Sequence, residues 1–449
     1  MTQKVFRLLI VVMINRTLPQ WLAYISSTHP SDIEMGLDRI KTVFNNLNRS
    51  KNNQKIVLVA GTNGKGSTVA MMEASLLALG YKVGAYTSPH ILSYNERVRI
   101  NGSNVLDPAL IQAFENVENA RQQTPLTYFE YGTLAAFDIL FSVELDVILL
   151  EIGLGGRLDA VNIVEPDISI ITSVGVDHAE WLGNTVEEIG AEKAGILRQD
   201  SLFIGGECMP QSVLKRSETL ACKTLMFRQD FNINSGSSSK NVCLKVDATD
   251  HVFTGFPSVF LPENNILIAM QAVVCVQSLL EKEKIFDQYH YSYMLTAIEA
   301  LNLPGRLEKI SHPKAQDLFI DVGHNPHAAE FLKIFLLENA KSGKHIQIVY
   351  SALVDKDVLS VMEILAPIVD RCVLAPLKSE RAMPLDNLKE FAVKAGLRNV
   401  VSFASIDKAI TDALLYSSDS LRRGEPLLTL IFGSFYIVEA AKRFFETYD

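Results

Sequence analysis

The sequence has few cysteines, no block of basic residues and no long apolar run. Its five cysteines lie far apart without a C-x-x-C pair, which argues against a disulfide framework or a zinc site and fits a reducing cytoplasm. The net charge of −9 is spread along the chain, so we expect no nucleic-acid partner. The apolar run Val5–Ile14 is too short to span a bilayer, so we expect no membrane partner. Because no sustained heptad is evident, we expect a monomer.

Short apolar segments rich in β-branched residues, which are typical of buried strands, alternate with helix-like segments along the chain. This alternation predicts an α/β fold with a parallel sheet covered on both faces. Pro304-Gly305 interrupts the pattern, and a second series of strand-like runs follows. We therefore expect an N-terminal P-loop-type ATPase domain over residues 1–302, a linker over 303–306, and a smaller Rossmann-like α/β domain over 307–449. The polar stretch 234–240 predicts a surface hairpin loop.

The segment AGTNGKGST follows a strand-like run and resembles a phosphate-binding loop that is too short. The usual pattern is G-x-x-x-x-G-K-[ST], yet two residues separate Gly61 from Gly64, and Gly66 stands where a hydroxyl is expected. Its glycines let backbone N–H groups approach an anion at a helix N-terminus, and Lys65 adds a positive charge. The loop predicts a nucleotide site whose magnesium ligands come partly from elsewhere.

Other strand ends supply candidate ligands. Glu151 and Ser88 offer the oxygen atoms that magnesium prefers, whereas a histidine placed like His178 is, taken alone, more often an ordinary loop residue than a ligand. GLGGRLD is not a dinucleotide fingerprint, because Leu158 replaces its third glycine. DVGHNPHAAE, at 321–330, is either a second part of the site or a capped turn opened by Asn325-Pro326.

Together these segments resemble the dihydrofolate synthase/folylpolyglutamate synthase family, which is related to the Mur ligases. The resemblance runs from about Trp21 to the C-terminus and is carried by the motifs AGTNGKGST, YTSPHILSYNERVRI, LTYFEYGTLAAF, LEIGLGGRLDAVN, EKAGI, LPGRLE and DVGHNPHAAE. It implies an ATP-dependent ligase that adds L-glutamate to dihydropteroate and to reduced folates through an acyl phosphate. The implied cofactors are ATP and Mg²⁺, with two ions expected and K⁺ as a further candidate.

The resemblance also implies roles for individual positions. Expected ATP contacts are Thr62, Asn63, Gly64, Lys65, Asn265, Arg306 and Asp321. Expected magnesium ligands are Ser88, Glu151 and His178. Expected dihydropteroate contacts are Asp32, Ile33, Glu34, Met35, Thr127, Tyr128, Phe129, Glu130, Leu158, Asp159 and Ala160. Lys65, His178 and Lys193 are the expected catalytic residues, and Lys193 stands where the family carries a carbamylated lysine.

Three alternative functions remain open at this point. A monofunctional folylpolyglutamate synthase is the nearest, although the segments LTYFEYG and DIEMG favour the bifunctional reading. A Mur-type ligase is the next, and LTYFE speaks against it. A nucleotide-dependent switch is a different class of protein, but a switch has no obvious need for site residues on a second domain.

Overall fold

The computed structural model describes residues 16–29, 34–235, 240–246, 249–281, 285–340 and 343–447. The expected substrate contacts Asp32 and Ile33, the run Val5–Ile14 and the interior of the predicted 234–240 loop lie outside the described residues. The described chain is α/β and contains two large sheets, which confirms the predicted fold class. We call the part up to residue 299 the first lobe and the part from residue 308 the second lobe.

An eight-stranded sheet organises the first lobe, in the order β4-β3-β2-β5-β1-β6-β7-β8. Its strands are β1 (Lys55–Ala60), β2 (Val83–Tyr86), β3 (Val98–Ile100), β4 (Ser103–Asn104), β5 (Val147–Glu151), β6 (Ile168–Ile171), β7 (Leu202–Gly205) and β8 (Lys223–Met226). The pairs β2–β5, β5–β1, β1–β6, β6–β7 and β7–β8 are parallel. Alternate residues of β1 belong to different hydrophobic cores, Ile56 to one and Val57 to the other, because both faces of the sheet are covered.

The helices of this lobe cover the two faces of the sheet. They are α1 (Leu18–Ser26), α2 (Asp38–Asn46), α3 (Lys65–Ala78), α4 (Asp107–Arg121), α5 (Tyr128–Leu140), α6 (Ala179–Leu182), α7 (Val186–Lys193), α8 (Gln211–Thr219), α9 (Glu263–Leu280) and α10 (Gln288–Glu299). Short 3₁₀ turns lie at Tyr94–Arg97, Ala160–Ile163 and Ala194–Ile196. Helix α9 has the length and apolar composition of a membrane span, but 72% of that segment is buried inside the protein.

The first lobe also contains a small antiparallel sheet, of which the sequence predicted only the 234–240 hairpin loop. It consists of β9 (Asn232–Ser235), β10 (Lys240–Val246) and β11 (Thr249–Thr254), in the order β11-β10-β9. Val242, Leu244 and Val246 alternate along β10 and join the core that also contains α9. The predicted 234–240 loop is therefore the connection between two of these strands.

A six-stranded sheet organises the second lobe, in the order β12-β13-β17-β14-β15-β16. Its strands are β12 (Glu308–His312), β13 (Ala315–Asp321), β14 (His345–Tyr350), β15 (Arg371–Leu374), β16 (Val400–Ser402) and β17 (Leu427–Phe432). Its helices are α11 (Pro326–Asn339), α12 (Val358–Leu365), α13 (Leu385–Lys394), α14 (Ile406–Arg422) and α15 (Phe435–Glu446). The strand β12 is antiparallel to β13, whereas the pairs from β13 to β16 are parallel.

An aromatic contact joins the two lobes beside α9. Phe260, in the segment before α9, has its ring centroid 4.7 Å from that of Phe335 and 5.5 Å from that of Phe331, both on α11. The rings of Phe260 and Phe335 meet edge to face at 73°, which is a favourable aromatic geometry. The contact places the N-terminus of α11 near the first sheet.

Phe260→Ala is expected to lower the free energy of unfolding by about 2 kcal/mol, because a half-buried phenyl ring loses its contacts with α11. Thermal unfolding and proteolysis between the lobes would measure the effect. Tyr289→Ala, at a ring that is 65% exposed, is the matched control and should leave the unfolding midpoint unchanged. An unchanged midpoint for Phe260→Ala as well would contradict a stabilising role for this contact.

Candidate active site

A cavity of about 650 Å³ lies between the two lobes, where strands of the first sheet end. Loops that follow β1, β2, β5 and β6 contribute to its wall, as expected for an open parallel sheet. The second lobe adds residues from the loops after β13, β14 and β17. The cavity is therefore shared by both lobes.

The loop between β1 and α3 is pinned by the end of β6. Thr172 Oγ1 donates to the carbonyl of Asn63 over 2.6 Å, and Ser173 Oγ accepts from the Asn63 N–H over 3.1 Å. The N–H of Thr62 donates to the Ser173 carbonyl over 2.9 Å. These contacts hold the short loop in one conformation in front of the N-terminus of α3.

Gly64 and Asn265 explain why this loop needs a glycine beside α3. Gly64 has φ of +86° and precedes the first residue of the helix. A Cβ atom there would lie 2.4 Å from Oδ1 of Asn265, which is 6% exposed at the start of α9. Asn265 Nδ2 also donates to Ser67 Oγ over 3.3 Å. The structure thus brings the predicted nucleotide contact Asn265 against the loop between β1 and α3, which we call the phosphate-type loop.

Lys65 lies over its own loop, and burial lowers the pKa of its ammonium group. Its Nζ donates to the Gly61 carbonyl over 2.9 Å. Glu151, only 5% exposed, supplies an opposing charge nearby. Because Lys65 forms no ion pair with a carboxylate among the described residues, its ammonium group is available to an anion that enters the cavity.

Glu151 and Ser88 lie together at the ends of β5 and β2. Glu151 Oε2 accepts from the Ser88 N–H over 3.0 Å, and burial raises the pKa of Glu151 despite the charge of Lys65. A Cβ on Gly66 would be 3.5 Å from Glu151 Oε2, so the carboxylate faces the phosphate-type loop directly. A buried carboxylate beside a hydroxyl and an anion site suits a hard divalent cation.

The described residues contain no group of three or more His, Cys, Asp or Glu side chains arranged to hold a metal by themselves. The expected set Ser88, Glu151 and His178 contains two such residues and one hydroxyl. All three line the cavity, but only Ser88 and Glu151 are in contact. Any cation in this region would need further oxygen ligands from a bound molecule or water.

His178 contacts a residue of the second lobe. It has left-handed backbone with φ of 52°, and its Nε2 lies 3.4 Å from Lys356 Nζ. Burial and the Lys356 charge lower the pKa of His178 to about 4. The imidazole is therefore neutral near pH 7, which is the form that binds metals.

Asp177 connects the lobes through several polar contacts. Its Oδ1 lies 2.9 Å from Lys356 Nζ, and its Oδ2 lies 3.6 Å from His324 Nε2. Burial opposes ionisation of Asp177, but His324 and Lys356 outweigh it and hold the pKa well below the usual range. The side chains of Lys356 and Asp177 are 7% and 10% exposed, so this ion pair is largely shielded from water.

Lys193 ends α7 and lines the same cavity with 3% of its surface exposed. Burial lowers the pKa of its amine to about 7, and the positive charge of Lys65 contributes to the shift. A substantial neutral fraction is therefore present near pH 7, unlike at an ordinary surface lysine.

Arg306 and Asp321 enter the cavity from the junction and from the end of β13. Asp321 accepts from the N–H groups of Leu307 over 2.8 Å and Gly323 over 2.6 Å, and burial raises its pKa. The guanidinium carbon of Arg306 lies 5.5 Å from the centroid of Phe435. Arg306 and Asp321, the two predicted nucleotide contacts, thus line the same cavity as the loop between β1 and α3.

The expected substrate segment Thr127–Glu130 opens α5. Thr127 and Glu130 form a reciprocal capping box, in which Glu130 also accepts from Arg39 over 3.0 Å. Phe129 is half-buried and packs at 28° to Tyr86, with ring centroids 6.4 Å apart. Part of this segment therefore shapes the helix start, while the Phe129 ring packs beside Gly153, where a Cβ atom would lie 2.4 Å from the ring.

Asp159 sits beneath the Gly153–Gly156 loop and organises it. Its carboxylate accepts from the N–H groups of Leu154 over 2.7 Å and Val161 over 2.9 Å. Burial raises the pKa of Asp159 to about 6. Its expected neighbours in the substrate set are Leu158, which is half-buried, and Ala160, which is buried.

The two other described members of the substrate set precede α2. Glu34 is exposed and is ion-paired with Arg39 and His29, and Met35 is half-buried. Arg39 therefore links Glu34 to Glu130 at the start of α5. This link brings two distant parts of the expected substrate set together.

Several cavity residues were missed by the sequence reading. Arg97 is 8% exposed, donates to His90 Nδ1 over 2.8 Å and lies 5.1 Å from the Tyr94 ring centroid. Asp177 and Lys356 were missed as a pair, because 179 residues separate them along the chain. The strand-end position of Asp177 was the one local signal available.

Comparison with known proteins identifies the family of this fold and site. The family model for the Mur ligase middle domain matches residues 59–227, and that for the Mur ligase glutamate ligase domain matches residues 305–433. The dihydrofolate synthase/folylpolyglutamate synthase of Escherichia coli (strain K12) is 36% identical over 401 residues, which cover 88% of this chain and 90% of that protein.

Solved structures agree with this similarity over nearly the whole chain. E. coli FolC in complex with DHPP and ADP superposes with a TM-score of 0.86 at 32% identity, covering 97% of this chain and 99% of that one. The bifunctional enzyme from Yersinia pestis complexed with AMPPNP and Mn ion gives 0.84 at 33% identity, covering 96% and 98%. The chain therefore belongs to the dihydrofolate synthase/folylpolyglutamate synthase family of ATP-dependent Mur-type ligases.

Proposed function

We propose that this protein joins L-glutamate to dihydropteroate and to reduced folates at the expense of ATP. The observation that carries the proposal is one cavity lined by the phosphate-type loop, the buried Glu151 and Lys193, and Arg306 and Asp321 from the other side. The likeness to proteins that carry both activities supports the choice of acceptors. The direct test is ADP release that depends on both L-glutamate and either dihydropteroate or tetrahydrofolate.

The reaction needs a carboxylate made reactive and protected from water. The acceptor carboxylate attacks the γ-phosphorus of ATP, ADP leaves, and an acyl phosphate forms. The neutral amine of L-glutamate then attacks the acyl carbon, and the tetrahedral intermediate loses a proton and expels inorganic phosphate to give an amide. Lys65 is positioned to offset negative charge on the transferring phosphoryl group. Closure of both lobes around the cavity keeps water away from the acyl phosphate.

We assign the nucleotide to Thr62, Asn63, Gly64, Lys65, Asn265, Arg306 and Asp321. Mg²⁺ would be held by Ser88, Glu151 and His178 together with phosphate oxygens, with two ions in total and K⁺ as a further candidate. A bound divalent cation supplies charge neutralisation and alignment of the phosphates. The buried Glu151 beside the loop supports this assignment. The nearby neutral His178 is compatible with a ligand role.

We assign the pterin ring to the face of Phe129, with Asp159 fixing the adjacent glycine loop. A flat bicyclic ring gains from stacking on an aromatic side chain. The remaining described members of the substrate set surround the start of α5 or the 158–160 segment. We also propose a division into domains at 303–306, a monomeric state and a cytoplasmic location.

Lys65→Ala is expected to reduce both ligase activities by about a hundredfold to a thousandfold, because a charge-assisted contact that strengthens in the transition state is worth about 3–4 kcal/mol. Amide formation with each acceptor would be measured, with circular dichroism to verify folding. Lys41→Ala, at an exposed lysine of α2, is the matched control. A folded Lys65→Ala variant with near-normal turnover would remove Lys65 from the mechanism.

Phe129→Ala and Asp159→Ala are expected to impair glutamate addition to dihydropteroate more than addition to tetrahydrofolate. The two substrates place their reacting carboxylates at different distances from the pterin, so they do not use one pterin pocket in the same way. KM and kcat would be measured for both acceptors.

Two controls separate site effects from packing effects in this comparison. Phe445→Ala removes a partly buried ring from the second lobe, and Asp159→Asn retains an oxygen that can accept from the glycine loop. Equal losses with both acceptors would instead indicate one shared folate pose.

We further propose that Lys193 carries a carbamate. The neutral amine attacks the carbon of CO₂ and loses a proton, which converts a cation into an anion with two oxygen atoms. An unmodified Lys193 ammonium would add positive charge beside Lys65 and the proposed cation site. The lowered pKa makes the reactive neutral amine available.

The carbamate is expected to give a ¹³C NMR signal when the protein is incubated with ¹³CO₂, and Lys193→Ala should lose that signal. Lys193→Ala should also lose ligase activity and regain part of it with added short carboxylates. Lys41→Ala should retain both signal and activity. The modification would be contradicted if the protein were fully active in solution while its crystal structure with metal and nucleotide bound showed an unmodified Lys193.

A further inference from the structure

Asn325 forms an amide pair with the phosphate-type loop across the two lobes. Asn325 Nδ2 donates to Asn63 Oδ1 over 3.0 Å, and Asn63 Nδ2 donates back to Asn325 Oδ1 over 3.1 Å. Asn325 belongs to the second lobe and lies 262 residues from Asn63. The loop that the first lobe presents to a nucleotide is therefore held by a side chain of the second lobe.

The backbone of α11 fixes the orientation of the Asn325 amide. Asn325 is the N-cap of α11, and its Oδ1 accepts from the Ala328 N–H over 3.0 Å. Rotation of the amide by half a turn would place its NH₂ group against that N–H. The oxygen must therefore face Ala328 and Asn63, which leaves the two N–H bonds for Asn63 and for Asp177.

Asp177 takes the second N–H bond of Asn325 and completes the cluster. Asn325 Nδ2 donates to Asp177 Oδ2 over 3.1 Å, so all four hydrogen-bonding positions of this amide are used. Asn325 is 4% exposed, whereas Asn63 and Asp177 line the cavity. The amide thus lies behind the cavity wall and acts on it through two lining residues.

Asn63 has few other ways to orient its side chain. Its Nδ2 lies 2.9 Å from His327 Nδ1, which also belongs to α11. The first lobe holds the Asn63 backbone through Thr172 and Ser173, whereas Asn325 and His327 of the second lobe are the hydrogen-bond partners of its side chain among the described residues. The second lobe therefore controls this part of the loop.

We propose that Asn325 is a positioning residue that couples docking of the second lobe to nucleotide binding by the loop, a role that rests on the proposed ATP site. With the amide in place, Asn63 is held in its orientation toward the cavity. Without it, the loop samples other orientations and binds nucleotide more weakly. Asn325 acts through Asn63 and Asp177 and makes no contact with the reacting atoms.

If Asn325 served only as the N-cap of α11, its Asp and Ser variants would be expected to behave differently from what the positioning role predicts. Asp, Asn and Ser are comparable N-caps. A capping role alone therefore predicts that the Asn325→Asp and Asn325→Ser variants bind ADP as well as the wild-type protein does. The positioning role predicts a loss for both. Asp should be worse than Ser, because it lacks the N–H donor and places a carboxylate against Asp177.

ADP binding in the presence of Mg²⁺, measured by calorimetry on the full chain, tests the proposal. Asn325→Ser keeps the cap to Ala328 but loses the three hydrogen bonds to Asn63 and Asp177. Because these bonds act on ADP only through the loop, we expect ADP binding to weaken about tenfold, and Asn325→Asp to weaken it further. KM for ATP should rise more than kcat falls. In an Asn63→Ala background, Asn325→Ser should add less than a twofold loss, because the two residues act as one unit.

Ser405→Ala is the matched control, because Ser405 caps α14 in the same lobe and accepts from the Lys408 N–H over 3.4 Å. It should lower the unfolding midpoint without changing ADP affinity. Asn325→Asp with unchanged or tighter ADP binding would overturn the proposal, as would fully additive losses with Asn63→Ala. If the wild-type protein bound ADP but formed no amide, the ligase function would be refuted. The comparison of ADP binding between the Asn325 variants and the wild-type protein would still be valid.

Discussion

Lys65, Glu151 and Lys193 place charged groups around a cavity that excludes much of the solvent, and this burial of charge governs the rest of the site. Burial lowers the pKa values of both lysines and raises that of Glu151, because it disfavours the charged form of each group. Such a cluster is stable when opposite charges or bound ligands compensate it. Phosphates and a cation supply that compensation in the proposed reaction.

The architecture meets this requirement by drawing the site from several chain segments. Strand ends of one sheet supply the loop and Glu151, a helix end supplies Lys193, and β13 brings Asp321 from the other lobe. The loop needs fewer residues than the usual phosphate-binding loop, because Thr172, Ser173 and Asn265 hold it from outside. Its backbone conformation is thus fixed within the first lobe.

Much of the fold could be predicted because each central strand carries its own signal. Continuous apolar runs identified β1, β5 and β6, and the glycines after β1 located the loop, since these patterns are local. The antiparallel sheet β9–β11 was predicted only through its 234–240 hairpin loop, because polar residues interrupt the apolar pattern of its strands. Contacts such as Asn63–Asn325 have no local signal, since they depend on how the two lobes pack.

The site was predicted through resemblance more than through physical pattern. A lysine at the end of a helix reads as a surface residue until packing buries it, and Lys193 was recognisable only from the EKAGI motif. Thr127, Glu130 and Asp159 have clear structural tasks as caps and loop anchors, which the sequence could not separate from substrate contact.

The Lys356–Asp177 ion pair joins the lobes with both side chains nearly out of water. Dissolved ions screen exposed charges over roughly 8 Å at physiological salt but reach buried pairs much less. The two lobes should therefore stay docked through large changes in cellular ionic strength. This contact between the two lobes should therefore depend less on salt concentration than the ion pairs at the protein surface do.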